Sequence, residues 1–214
     1  MKRSLRLAFG LFISGLLIPL SAARAMTELN PEGPYKQAAT DMIFPVSIGD
    51  FRRINIIRYA EDGTDESAGY NREIPMSEIS ATVYLFPSPG LSSFGSPQNV
   101  IDDARSRLCV QQFQAIQREV SGAHPDAKLI SEGTARLVQG ADIHIGHRAF
   151  YTLTNPLFFD RRDVASRSDV YVFCFVGGKW TVEYRIDYPQ DYDASKEIAD
   201  FMRELVWTIP PENN

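Results

Sequence analysis

Few side chains of this 214-residue chain have the type and spacing that chemistry demands. Cys109 and Cys174 are its two cysteines and form a candidate disulfide pair. A bond between them closes a long loop and gains about 4 kcal/mol from the chain entropy it removes; two buried thiols are the alternative. No C-x-x-C pair is present, so either role is structural. His147 interrupts the apolar series Ile143, Ile145, Ala149 and Tyr151, which makes it a candidate buried base or ligand contact. The competing reading is a core histidine whose ring nitrogen is satisfied. His144, Arg148, Arg136 and Glu132 read as a cross-strand polar cluster, able to hold an anion through the arginines or to form solvated ion pairs.

A metal is not expected, because His144 and His147 alternate in facing and only His124 remains. Asp62, Asp65 and Glu66 lack the ligand alternation of a calcium loop and read as a solvated turn. In Asn155–Arg167, Phe158 and Phe159 stand beside Arg161 and Arg162 on what reads as a connection between hairpins. Exposed, such a patch suits partner binding; the alternative folds the phenylalanines onto the sheet edge. Known catalytic motifs are missing. Gly90–Gly95 (GLSSFG) has Phe94 where a nucleophile elbow needs glycine, and there is no S-x-x-K, P-loop, H-E-x-x-H or G-x-G-x-x-G. No catalytic residue or cofactor is therefore assigned, and an enzyme is not the favoured reading.

The elements that must position these residues follow from periodicity. Phe51–Ala60 and Ile79–Phe86 are rich in β-branched and aromatic residues and predict strands, with a shorter one around Tyr70. Ser96-Pro97 predicts the start of a long amphipathic helix over Pro97–Val120, with Ser96 as its cap. Two hairpins follow. Around Gly177-Gly178, residues whose numbers add to a constant face each other, pairing Phe175 with Trp180, Phe173 with Val182 and Tyr171 with Tyr184. The aromatics then share one face, while Cys174 shares the other with Val172 and Val170. Around Gln139-Gly140-Ala141, a three-residue turn is predicted, because it sets Ala135 and Leu137 on the same face as Ile143 and Ile145. Ser195–Leu205 is a short amphipathic helix burying Ile198, Phe201, Met202 and Leu205. The expected fold is α+β: an antiparallel sheet of six or seven strands packed with one long and one C-terminal helix.

The N-terminus carries a different signal. Lys2, Arg3 and Arg6 precede the uncharged run Leu7–Leu20, and Ala23 and Ala25 close it in the order of a secretory signal peptide cut after Ala25. The division expected is 1–25 signal peptide, 26–41 N-terminal arm and 42–214 one α+β domain, in a periplasmic or secreted protein with no membrane span after cleavage. Residues 1–25 hold four of the 22 basic residues and none of the 27 acidic ones, which leaves 18 against 27 and a net charge of −9. Such a surface repels phosphate backbones, so nucleic acid is excluded as a partner.

The order of strands, helix, two hairpins and closing helix resembles the PsbP-like family, whose members include an accessory protein of the oxygen-evolving photosystem. The features that carry the resemblance are the Phe51 strand, the tyrosine-rich meander ending at Tyr188-Pro189, and the closing Ile198, Phe201 and Trp207. The resemblance implies an accessory role. The expected function is an exported, non-catalytic module binding an envelope protein or a small ligand. The alternative is an envelope hydrolase with a dispersed, His-containing site. A third reading, a carrier of an apolar molecule, rests on the aromatic face Tyr171, Phe173, Phe175, Trp180 and Tyr184.

Overall fold

The computed structural model describes residues 26–92, 95–158 and 161–210. The signal-peptide segment with its Ala25 cleavage site, and Phe159, lie outside them. In chain order the elements are β1 (Thr27–Leu29), β2 (Tyr35–Lys36), β3 (Ile43–Phe44), β4 (Ser47–Ile48), β5 (Phe51–Arg58), β6 (Glu66–Ile74) and β7 (Ser77–Pro87). There follow α1 (Gln98–Ala123), β8 (Lys128–Gln139), β9 (Asp142–Phe158), β10 (Arg161–Val176), β11 (Trp180–Pro189) and α2 (Ser195–Glu204). Nine strands form one antiparallel sheet in the order β1-β5-β6-β7-β11-β10-β9-β8, with β4 beside β5. The first meander ends at β7. Helix α1 then crosses one face to the far edge, and the second meander returns until β11 seals against β7.

The expected α+β class is corrected. Strand takes 51% of the described residues and helix 20%, so the fold is mainly β. Two causes account for the difference. Strands of two or three residues, such as β1 to β4, are recruited by packing and are too short to show a period. The stretch Asn155–Arg167, expected as a connection, is also mostly strand: β9 and β10 run 17 and 16 residues and stay paired from Val172↔His147 out to Arg161↔Phe158.

Each helix covers one face. On the first, Phe113, Ile116 and Val120 of α1 lie on Ala149, Tyr151, Val170 and Val172, and Cys109 is bonded to Cys174 across the interface with Cα atoms 5.6 Å apart. The α1 amide ends are met by the Pro97 carbonyl, which accepts from Val100 and Ile101; Ser96 supplies no cap. On the second face, α2 buries Ile198, Phe201 and Met202 as its sequence spacing predicts. The Phe201 ring meets Phe51 at 4.6 Å and Tyr70 at 5.4 Å. Beyond α2 the tail doubles back: Trp207 donates from Nε1 to the Tyr184 hydroxyl at 2.7 Å, and the Gln139 amide donates to the Leu205 carbonyl at 2.6 Å.

Register decides which residues reach each face. In the β10–β11 hairpin the expected pairs Phe173↔Val182, Tyr171↔Tyr184 and Val170↔Arg185 are present. Phe175, however, does not pair with Trp180. It adopts φ of 57° in a bulge, Val176 takes its place, and Gly177 and Gly178, at φ of 59° and 91°, complete the turn. The β8–β9 hairpin overturns its expectation. Gln139 pairs with Asp142 across the two-residue turn Gly140-Ala141, so Leu137 faces His144 and Arg136 faces Ile145. Ile143 and Ile145 are consequently exposed. A one-residue slip exchanges the faces of a strand, and here the slip is set by long-range packing: His144 lies 4.6 Å from the Trp207 ring.

The acidic turn also differs from expectation. Glu66 is fully buried, and its Oε1 accepts from Arg58 Nε and from the Tyr35 hydroxyl, each at 2.8 Å. This triad ties β2 to β5 and β6. Tyr35 stands 23 and 31 residues before Arg58 and Glu66, so no local pattern announces the triad.

Candidate functional site

The second face does not close fully. Between α2 and strands β8 to β11 lies a cleft of about 610 Å³, within the range of small-molecule sites. Its floor is apolar: Leu137, Phe150, Tyr171 and Phe173 from the sheet, with Ile198 and Met202 from the helix. The Phe150 and Tyr171 rings meet edge to face at 5.9 Å. Arg136, Arg148, Arg167 and Arg203 stand around it. The Arg148 guanidinium lies over the Phe150 ring at 5.3 Å, which keeps cation and apolar floor together. Arg203 is paired with Asp200 of its own helix. Among the described residues, Arg148 and Arg167 take part in no salt bridge.

One carboxylate shares the cleft. Asp169, 6% exposed, accepts from the Tyr188 hydroxyl at 3.2 and 3.3 Å. Burial pushes its carboxyl up to about 7, against the Tyr188 hydrogen bond and the charges of Arg167 and Arg148, while Asp187 pushes the same way as burial. Near neutrality Asp169 is thus partly protonated, and the cleft keeps a net positive charge inside an acidic protein.

A stability test follows. The folded-state value stands above the ordinary aspartate value of about 3.9. Stability from this group is therefore fully present below about pH 4 and is lost as pH rises to about 7, because only the folded state holds the proton in that window. Asp169→Asn is expected to flatten the fall in unfolding free energy between pH 5 and pH 8. Denaturant curves at the two pH values that kept the native difference would remove Asp169 as its cause.

Of the polar residues singled out from sequence, Arg136 and Arg148 both line the cleft, and the others lie elsewhere. Arg148 lines the cleft, but His147, its neighbour on β9, points to the other face and stacks on the Phe113 ring of α1 at 5.2 Å, where burial lowers its pKa. The expected cluster of His144, Arg148, Arg136 and Glu132 is split by the slipped register: Glu132 pairs with Ala149 and Arg136 with Ile145. Phe158 is buried at the end of the β9–β10 hairpin, not presented to a partner. Arg161 and Arg162 are exposed there, in a separate hollow with Asp163 and Asp191. Neither His144 nor His147 hydrogen-bonds a serine, threonine or cysteine side chain among the described residues, so a nucleophile–base pair is assembled at neither. No group of three His, Cys, Asp or Glu side chains able to hold a metal is found among them. No helix among them is long and apolar enough to cross a membrane.

Sequence reasoning missed Asp169, Arg167 and the α2 wall. Period two carries part of the signal: Arg167 and Asp169 continue the alternation of Tyr171 and Phe173, so a longer strand places all four on one face. The open space beneath α2 has no local signature. No family model matches the chain, and no curated protein matches it.

Proposed function

We propose that this protein is an exported, non-catalytic binding module whose α2 cleft takes a small amphipathic anion, an apolar body with one acidic group. The observation that carries the reading is the combination of an apolar floor with Arg148 and Arg167, which form no salt bridge among the described residues, in one 610 Å³ cleft. An apolar body is drawn in by burial, and a carboxylate or sulfonate offers Arg148 and Arg167 the charge-assisted hydrogen bonds they lack. Export is supported by the Lys2–Ala25 pattern, and the disulfide is compatible with an oxidising compartment. An accessory role accords with the PsbP-like order of elements.

The test uses two anionic probes, anilinonaphthalene sulfonate and dodecanoate, with dodecanol as the uncharged control. Saturable binding of the anions is expected, weakened about tenfold by Arg148→Ala and about tenfold by Arg167→Ala, while dodecanol binding changes little. Equal losses for dodecanol, or titrations indifferent to both arginines, would reject the anion site. Arg161→Ala serves as the control outside the cleft.

A further inference from the structure

Strand β8 is the last strand of its sheet, and among the described residues no strand pairs with its outer edge. Residues Lys128–Thr134 are exposed throughout, and a Cβ placed on Gly133 would find nothing within 4 Å. An open edge of this length presents free backbone donors and acceptors, a template that proteins ordinarily cover or blunt. The face beside it is apolar as well as exposed: Val138 is 46%, Ile143 54% and Ile145 61% accessible.

The edge is complementary to itself. In an antiparallel pair of two β8 strands related by a two-fold axis at Thr134, Glu132 of each copy lies opposite Arg136 of the other. Thr134 then meets Thr134, and Gly133 meets Ala135, small residues that allow close approach. Neighbouring two-fold registers lose this. An axis at Glu132 sets glutamate against glutamate and Arg136 against Lys128. An axis at Arg136 sets arginine against arginine. Axes at Gly133 or Ala135 leave every charge of the pair facing an uncharged residue. Opposite charges thus select one register, and like charges penalise the slips on either side. The Gln117 amide donates to Glu132 at 2.8 Å, which holds that carboxylate beside the edge.

We infer that this chain forms a symmetric dimer through β8, joining two sheets into one continuous sheet with its axis at Thr134. The isologous contact is closed, so it ends at two copies and does not propagate. Both ends of the pairing bring the exposed Ile130 and Val138 of opposite copies together.

The inference does not rest on the cleft, although Arg136 and Val138 also line it, and it is tested on the mature chain by sedimentation equilibrium over roughly 1–100 µM, where interfaces of modest area associate. The native chain is expected to dimerise. Glu132→Arg and Arg136→Glu, each of which creates two like-charge contacts, are expected to weaken the dimer at least about tenfold. The double variant Glu132→Arg/Arg136→Glu restores the opposite-charge pairs and is expected to recover it. A monomeric native chain across that range, or a dimer equally strong in both single variants, overturns the inference. A double variant no better than the single ones overturns the register.

Discussion

Replacing Cys109 and Cys174 together by alanine is expected to lower the stability of the folded protein by about 4 kcal/mol. The bond closes a loop of 65 residues, and loop-closure entropy at that length gives this value for the unfolded chain. For a chain of this size about 4 kcal/mol corresponds to a fall in Tm of roughly 8–16 °C. Location adds to the expectation. Cys109 lies on α1 and Cys174 on β10, so the bond fastens the helix to the sheet it crosses, at the end of a contact otherwise held by Phe113, Ile116 and Val120. Local opening of α1 should therefore increase as well, and hydrogen exchange in residues 98–123 reports it. Chemical denaturation with and without reductant is the direct measurement, and identical midpoints would show that the bond contributes nothing. The cleft lies on the other face, so anion binding at a temperature well below the new Tm is expected to survive.

Gly146→Ala is expected to cost about 3 kcal/mol for the addition of one methyl group. A Cβ on Gly146 would stand 2.2 Å from the Val172 carbonyl oxygen and 2.7 Å from the Phe173 ring. Backbone cannot yield at such a distance without prising β9 from β10. Phe173 cannot yield either: it is 1% exposed, and its ring is held edge to face by Tyr184 at 6.4 Å and by Trp207 at 5.2 Å. Forced overlap in a packed core costs ~1–3 kcal/mol and more where the neighbour is rigid. Because Phe173 is also part of the cleft floor, anion affinity is expected to fall together with Tm. Gly122→Ala is the control. It lies in α1 with nothing within 4 Å of its Cβ, and alanine there is expected to stabilise by about 0.5 kcal/mol. Equal, small effects of the two substitutions would show that Gly146 is not a required close approach.

The candidate site was half legible in the sequence, and the half can be named. Tyr171 and Phe173 were placed together by the turn at Gly177-Gly178, and the spacing of Ile198 and Met202 marked the buried stripe of α2. Arg136 and Arg148 were singled out as anion ligands and both line the cleft, though Glu132 and His144 do not join them there. Which helix lies over which sheet face is a question of long-range contact, and no spacing within either element answers it. For the same reason the Asn155–Arg167 stretch was read as a connection. Its alternation is weak, and its described residues are mostly strand because β9 and β10 continue to pair beyond the covered part of the sheet.

Taken alone, the sequence determined whatever depends on local period and on cysteine count. The β10–β11 register over Asp169–Phe173, the shared face of Tyr171, Phe173 and Tyr184, the amphipathic α2 and the candidate pairing of Cys109 with Cys174 all follow from it. Only the tertiary structure decided the β8–β9 register, the burial of Glu66 and the cleft. An apolar pattern selects a face only when something covers that face. Here α1 covers Ala149 and Tyr151 but leaves Ile143 and Ile145 exposed, while Trp207 reaches His144 from the opposite side and the close approach at Gly146 holds the strand in that register.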